Sequence, residues 1–164
     1  MYASTDYTFV YLNGNILKQY YDLAISRYML IPENVRKKFQ ESGWKLTLTT
    51  EQLEDTWFSH LENISVCAGT HEGLCEIRLE NSKNGAKAVV HEMGHFVQTF
   101  MTQDDFTEWE NIYASENGNM TKYAKSSSWE AFAECFEELY VNPRTISDCP
   151  MAKDFIKKIV AQIV

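Results

Sequence analysis

The pentapeptide His91-Glu92-Met93-Gly94-His95 constrains this chain more than any other feature of its sequence. In an α-helix, two residues four positions apart lie one turn above each other on the same face. Both imidazoles can therefore reach one metal ion, while Glu92 lies about 100° further round the helix. This spacing is typical of zinc metalloproteases, in which the histidines bind the metal and the glutamate is the general base.

The residues around the pentapeptide predict that it lies on a half-buried helix. Apolar side chains recur at helical spacing between Ala86 and Met101, at positions 86, 89, 90, 93, 97 and 100. Asn81, Ser82 and Asn84 precede this segment and are candidate N-caps. The chain has four histidines, and two of them lie in this turn. The pattern therefore favours a metal site over a surface helix with two solvated histidines.

Length and charge limit the kinds of fold and partner. The chain has 164 residues, so we expect one domain spanning residues 1–164. Its formal charge of −8 provides no basic field for phosphates and disfavours a nucleic-acid partner. No segment approaches the ~20 apolar residues of a membrane span, so no membrane partner is expected. Residues 1–6 show no basic region leading into an apolar run, which predicts a cytoplasmic location, or secretion if a leader was removed.

Cysteine spacing gives little sign of a structural metal site. Cys67, Cys75, Cys135 and Cys149 form no Cys-x-x-Cys pair, the arrangement that structural zinc sites commonly use. Without a visible secretory leader, reduced thiols are the default expectation. Cys67 and Cys75 flank a loop expected at residues 68–74, so a hairpin disulfide between them is the alternative.

Alternating apolar and polar residues predict a small sheet in the first half of the chain. Three strands are expected, at residues 44–49, 64–67 and 74–80. The strand Leu74–Glu80 directly precedes the motif helix and carries charges at positions 76, 78 and 80. Charged side chains are common on exposed strand edges, so we place this strand at the edge of the sheet.

Helical periodicity accounts for most of the remaining chain. Helices are expected at residues 15–30, 32–42, 50–57, 86–101, 129–140 and 151–163. Residues 102–125 are polar and irregular, with a helical turn expected near Trp109–Tyr113. The layout is therefore α+β, with an early sheet followed by helices.

A catalytic zinc ion keeps three protein ligands and one open position, so a third ligand is needed. His60 and His71 have suitable chemistry but precede the motif, in a short helix and a loop. No histidine follows His95, so a downstream ligand is expected to be a carboxylate. Glu130, at the start of a predicted helix, is the leading candidate.

Other roles remain open for the glutamates of that helix. Ser127 lies three residues before Glu130, which is the spacing of a capping box. Glu134, one turn further on, is a competing ligand, or it accepts a hydrogen bond from a ligand imidazole. Glu137 and Glu138 are expected on a solvated face.

At these residues the chain resembles the lethal factor type of zincin metallopeptidase, to which the Pro-Pro endopeptidases are similar. The shared pattern is the histidine motif, then Tyr123, then Glu130-Ala131-Phe132-Ala133-Glu134, with the first glutamate seven positions after the tyrosine. The resemblance covers roughly residues 44–160. It implies a small zincin-like α+β domain, with a short mixed sheet whose antiparallel edge strand lies over the active-site helix and a mostly helical C-terminal half.

The same resemblance implies a zinc-dependent endopeptidase. Zn²⁺ is then held by His91, His95 and Glu130, with Glu92 as the base and Tyr123 facing the substrate carbonyl. Independently of the family, a nearby phenol can donate to the oxyanion that forms during peptide hydrolysis. We expect a peptide or protein substrate bound in extended form along Leu74–Glu80.

Three alternatives remain at this stage. A regulatory zincin that cleaves a specific cytoplasmic repressor uses the same motif with a downstream glutamate. A zinc-stabilised peptide-binding module without turnover has the same ligands, although it has no need of a base. Iron or manganese also suits two imidazoles and a carboxylate.

Overall fold

A four-stranded mixed sheet occupies the first half of the chain in this computed structural model, which describes residues 1–56 and 66–164. Three strands are parallel, and one edge strand is antiparallel to its neighbour. In spatial order they are β1 (Val10–Asn13), β2 (Lys45–Thr49), β4 (Glu76–Glu80) and β3 (Ala68–His71). The mixed sheet with its antiparallel edge confirms the predicted fold class.

Helices surround this sheet and make up most of the second half. They are α1 (Lys18–Tyr28), α2 (Glu33–Glu41), α3 (Leu53–Thr56), α4 (Lys83–Lys87), α5 (Val89–Gln98), α6 (Gln103–Glu116), α7 (Ser128–Val141) and α8 (Pro150–Gln162). Short 3₁₀ turns lie at Glu72–Leu74, Asn117–Asn119 and Ala124–Ser126. Among the described helices, none is long and apolar enough to cross a bilayer.

The prediction that Leu74–Glu80 forms the edge of the sheet is wrong. Its strand, β4, lies between β2 and β3, and β3 is the edge within the described residues. The charges of β4 are satisfied inside the sheet: Glu76 is buried, accepts a hydrogen bond from Thr47 and pairs with Arg78. Alternating charge on this strand therefore reflects ion pairing within the sheet rather than an edge exposed to water.

Two further strand predictions differ from the structure. The edge strand β3 forms within residues 68–74, which were expected to be a loop. The strand predicted at 64–67 lies partly outside the described residues, and its described part, Val66 and Cys67, is not in a strand. Strand β1 was not predicted, although its apolar run Val10–Leu12 is followed by the turn residues Asn13 and Gly14.

Helix predictions agree best where the apolar periodicity is strong. Helices α1, α2, α7 and α8 lie within about two residues of the predicted segments in most cases, and α2 ends before Gly43, whose φ is 75°. The described part of the helix predicted at 50–57 is α3, while Trp57 lies outside the described residues. The helix expected at 86–101 is divided into α4 and α5 at Ala88, and Ser82 caps α4 by accepting from the Gly85 N–H.

The polar segment after Met101 is a 14-residue helix, α6, rather than a single turn. Thr102 and Asp105 form a reciprocal capping box at its start. Trp109 is buried, and its indole N–H donates to the Ser128 carbonyl at the start of α7. Glu116 is also buried and caps α8 by accepting from the Ala152 N–H at 2.8 Å. Helix α6 therefore makes side-chain hydrogen bonds to the first residues of both α7 and α8.

The motif helix α5 is the centre of the packing. Every residue of α5 is buried, between the sheet on one side and α7 on the other. Gly94 lies at the closest approach of the two helices, because a Cβ placed there would lie 2.8 Å from the Ala133 Cα. The glycine within the pentapeptide therefore sets how near α7 can come to the two histidines.

We expect Gly94→Ala to destabilise the protein by about 1–3 kcal/mol, since the added methyl group meets the backbone of α7 rather than a flexible side chain. Thermal and urea unfolding of the metal-free protein measure this change. Gly118→Ala is the matched control, because no atom lies within 4 Å of the Cβ it adds, and it is expected to stay within about 0.5 kcal/mol. Equal stability of the two variants contradicts the packing argument.

Candidate metal centre and cleft

Three side chains that the sequence singled out converge at the contact between α5 and α7. His91 and His95 project from one face of α5, and Glu130 projects from the first turn of α7. The Glu130 Oε2 atom lies 2.9 Å from His91 Nε2 and 3.5 Å from His95 Nε2. These residues form a group that could hold one metal ion.

The start of α7 explains how Glu130 reaches this position. Ser127 is the N-cap, and its hydroxyl accepts a hydrogen bond from the Glu130 N–H at 3.0 Å. The Glu130 carboxylate faces the two imidazoles instead of returning to the cap. Only one half of the expected capping box is therefore present, which leaves the carboxylate available to a metal.

Each imidazole has a second partner on its other nitrogen. His91 Nδ1 lies 3.3 Å from Glu134 Oε2, and His95 Nδ1 lies 2.8 Å from Gln98 Oε1. Glu134 thus occupies the position of an orienting carboxylate, one of its two expected roles. Gln98 was not predicted, although its place three residues after His95 on the same helix face was a usable signal.

The donor set fits a divalent transition metal. Two imidazoles and one carboxylate are the ligands of many catalytic zinc sites, and three protein ligands leave a position open. All three donor atoms lie within 4.8 Å of one another. A second group, His91 with Glu134 and Glu137, shares one imidazole with the first and contains only one nitrogen ligand.

Protonation links the members of this site. Burial lowers the pKa of His91, but hydrogen bonds to Glu130 and Glu134 outweigh it and raise the pKa well above its usual value. Burial raises the pKa of Glu130, but the hydrogen bond with His91 and the nearby His95 imidazole reverse the effect and hold the pKa well below its usual range. In the metal-free protein the positive charge of protonated His91 therefore balances the negative charge of the Glu130 carboxylate.

Glu92 and Tyr123 lie beside this group. Glu92 is 7% exposed, and the Thr70 hydroxyl on β3 donates to its carboxylate. The Tyr123 ring centroid is 5.6 Å from that of His91, and the side chain is 55% exposed. Burial and the neighbouring Glu130 carboxylate raise the pKa of the Tyr123 phenol, so it stays protonated and can donate a hydrogen bond.

A cleft runs past the metal group along β3 and has two lobes. The first, about 320 Å³, is called the aromatic lobe because Trp129 lines it together with His95 and Thr70. The second, about 380 Å³, is called the acidic lobe and is lined by residues that include Glu134 and Glu137. Ala68, Glu92 and Tyr123 line both lobes. The lobes therefore meet beside the candidate metal group.

The expectation that Glu137 and Glu138 lie on a solvated face is wrong. Both side chains are half-buried, and Glu137 lines the acidic lobe. Burial raises the pKa of Glu137. Burial and the charges of Glu134 and Glu137 raise the pKa of Glu138 to about 7. Three of the four acidic residues of α7 therefore lie close enough to affect one another's charge: Glu134, Glu137 and Glu138.

The remaining candidate histidines are not in the group. His71 ends β3, and its Nδ1 accepts a hydrogen bond from the Leu74 N–H. His60 lies outside the described residues. All four cysteines are free thiols in the structure, including Cys67 and Cys75 on either side of β3.

Comparisons with protein-family models and with curated protein sequences gave no match. Solved structures do match, and one of them is the Pro-Pro endopeptidase PPEP-2 from Paenibacillus alvei, with a TM-score of 0.66 at 16% sequence identity. The match covers 92% of this chain and 97% of that chain. This likeness shows that the chain shares the fold of that protein, in agreement with the α+β class that its sequence predicts.

Proposed function

We propose that this protein is a zinc-dependent endopeptidase. The observation that carries the proposal is the convergence of His91 Nε2, His95 Nε2 and Glu130 Oε2 at the floor of a cleft that also holds a buried glutamate and a phenol. A zinc ion bound there supplies a Lewis acid that polarises the scissile carbonyl and makes bound water acidic. Because a Pro-Pro endopeptidase has the same fold, the first substrate screen should include peptides with Pro-Pro sequences.

In this proposal Glu92 is the general base and later the acid. Its carboxylate faces the cleft, takes a proton from the attacking water and delivers it to the leaving amine. The Thr70 hydroxyl, which donates to Glu92 Oε2, holds the carboxylate in one orientation. Tyr123 donates its phenolic proton as a hydrogen bond to the developing oxyanion.

The substrate is proposed to lie along β3 rather than along Leu74–Glu80. Strand β3 pairs with β4 on one side only within the described residues, and its residues Ala68, Gly69 and Thr70 line the cleft. An extended peptide can add to such an edge through main-chain hydrogen bonds. Its side chains on either side of the scissile bond then enter the aromatic and acidic lobes.

Glu92→Gln is expected to lower kcat/KM by about 10²–10⁴-fold, because the amide cannot accept the proton of the attacking water. Digestion of a diverse peptide library, with and without Pro-Pro sequences, followed by mass spectrometry measures the loss. Zinc content is determined on the same samples and is expected to stay near one ion per chain. Glu33→Gln, which changes an exposed carboxylate on α2, is the control and is expected to cleave like the wild type.

If the zinc-loaded wild-type protein binds peptides of the library but cuts none of them, the result contradicts the peptidase proposal and indicates a peptide-binding module. Cleavage by Glu92→Gln at the wild-type rate contradicts the role of the base alone. The two failures are therefore distinguishable.

Tyr123→Phe is expected to lower kcat by roughly 10²-fold or more, with little change in KM or zinc content, because it removes one oxyanion donor and no metal ligand. Steady-state kinetics on a peptide from the screen measures both constants. Tyr140→Phe is the control, since this tyrosine packs on Phe136 away from the cleft residues. An unchanged kcat removes Tyr123 from the mechanism.

Zinc binding is expected to tighten as the pH rises through the neutral range. The raised pKa of His91 means that the metal must displace a proton, which costs less at higher pH. For each proton displaced, the apparent Kd is expected to fall by about tenfold per pH unit below that pKa. Competition with a chromophoric chelator at pH 6, 7 and 8 measures the slope, and a pH-independent Kd contradicts the coupling.

A further inference from the structure

Gln98 is a buried amide with two specific partners. Its side chain is in the interior of the α5–α7 contact, and the residue is 1% exposed. The Gln98 Oε1 atom lies 2.8 Å from His95 Nδ1, and the Gln98 Nε2 group donates to the Trp129 carbonyl at 3.1 Å. The amide therefore connects one candidate metal ligand to the backbone of α7.

These contacts determine which nitrogen of His95 carries its proton. A backbone carbonyl can only accept, so the Gln98 NH₂ group must face Trp129 and the Gln98 carbonyl must face His95. That carbonyl also can only accept, so His95 Nδ1 must be protonated. His95 Nε2 is then the nitrogen with the free lone pair, and it points toward Glu130 Oε2 at 3.5 Å. This is the tautomer that can bind a metal through Nε2.

The indole of Trp129 fixes the plane of the same imidazole. The two rings stack with centroids 5.5 Å apart and planes 15° apart. Phe106 of α6 stacks on Trp129, with centroids 6.1 Å apart and planes 18° apart. His95 is thus the inner member of a three-ring column, and the outer two rings come from different helices.

We propose that Gln98 and Trp129 are positioning residues for His95: the amide selects its tautomer, and the indole fixes its ring plane. The proposal rests on the proposed function in one respect, that His95 is a metal ligand. Neither residue is a ligand in this proposal, because the Gln98 amide is engaged by His95 Nδ1 and the Trp129 carbonyl, and Trp129 contacts His95 through its ring.

The two imidazoles are held by partners of different charge. Glu134 faces His91 Nδ1, whereas the partner of His95 is neutral. Glu92 and Glu130 already contribute two more carboxylates to the site. A neutral acceptor at Gln98 orients the second imidazole without adding a further buried negative charge, which is costly to desolvate.

The tautomer can be tested on the wild-type protein without metal. Long-range ¹⁵N–¹H spectra of protein labelled in its histidines distinguish a proton on Nδ1 from one on Nε2. We expect the neutral ring of His95 to carry its proton on Nδ1, and His71, which accepts at Nδ1, to carry its proton on Nε2. A proton on His95 Nε2 overturns the proposal, and this measurement does not depend on any variant folding.

Zinc affinity tests the effect on metal binding. Gln98→Met has a similar size but no hydrogen bonds, and it is expected to weaken zinc binding by about 10- to 100-fold. Trp129→Leu keeps the backbone carbonyl and loses only the stack, so a smaller loss of about 2- to 10-fold is expected. Gln40→Met is the matched control, because the Gln40 amide on α2 donates a hydrogen bond to the Tyr28 hydroxyl on α1, away from the site. The zinc Kd of this variant is expected to match that of the wild type.

Cobalt substitution adds a spectroscopic readout that a change in stability alone does not produce. We expect the visible d–d bands of Gln98→Met to shift relative to wild type, because the ligand imidazole is no longer held in one orientation. A folded Gln98→Met protein with wild-type zinc Kd and cobalt spectrum overturns the proposal. Wild-type protein that binds zinc but cuts no peptide overturns the proposed function while leaving this inference intact.

Discussion

The close contact between α5 and α7 is the interaction on which the rest of the site depends. The histidines and Glu130 lie on different helices, so they meet only if the two backbones approach closely. Gly94 permits this approach on one side, and Ala133 presents only a methyl group on the other. A larger side chain at either position would move the carboxylate away from the imidazoles, because helices in a packed interior cannot deform locally at little cost.

Each polar side chain of the site has a partner near this contact. Thr70 on the sheet holds Glu92, Glu134 holds His91, and Gln98 holds His95. Within the described residues, no buried side-chain nitrogen or oxygen lacks a partner. Such completeness matters in a buried site, where an unpaired polar group costs about 1–3 kcal/mol. The helices and the strand that supply these partners also pack together, so the contacts that stabilise the fold also orient the side chains of the site.

Local patterns in the sequence predicted the parts of the molecule that depend on short-range chemistry. The spacing of His91 and His95 placed both imidazoles on one helix face, and the Ser127 cap marked where α7 begins. The N-cap Thr102 and the apolar residues between Phe106 and Ile112 carried a comparable signal for α6, but the polar residues among them concealed it. Helix α6 is stabilised by tertiary contacts such as the Trp109 hydrogen bond, which periodicity does not reveal.

Strand order was harder to predict, because it depends on pairing between distant segments. Charges on Glu76 and Arg78 resembled those of an exposed edge, yet they pair within the sheet. The edge strand among the described residues, Ala68–His71, contains glycine and threonine and has no strong alternation. The partner of His95 was missed for a related reason: a glutamine in a helix has many possible roles, and only the position of the Trp129 carbonyl distinguishes them.

The hydrogen bond between Thr70 and Glu92 has a consequence for how the cleft responds to a ligand. The same hydroxyl also contacts the Glu92 backbone carbonyl, so a four-residue strand at the rim is attached directly to the motif helix. Because the contact is direct, a displacement of this strand would move the hydroxyl that orients the Glu92 carboxylate. A ligand that straightens or tilts this strand would therefore change the orientation of the Glu92 carboxylate, so β3 couples the rim of the cleft to the motif helix as well as lining the cleft.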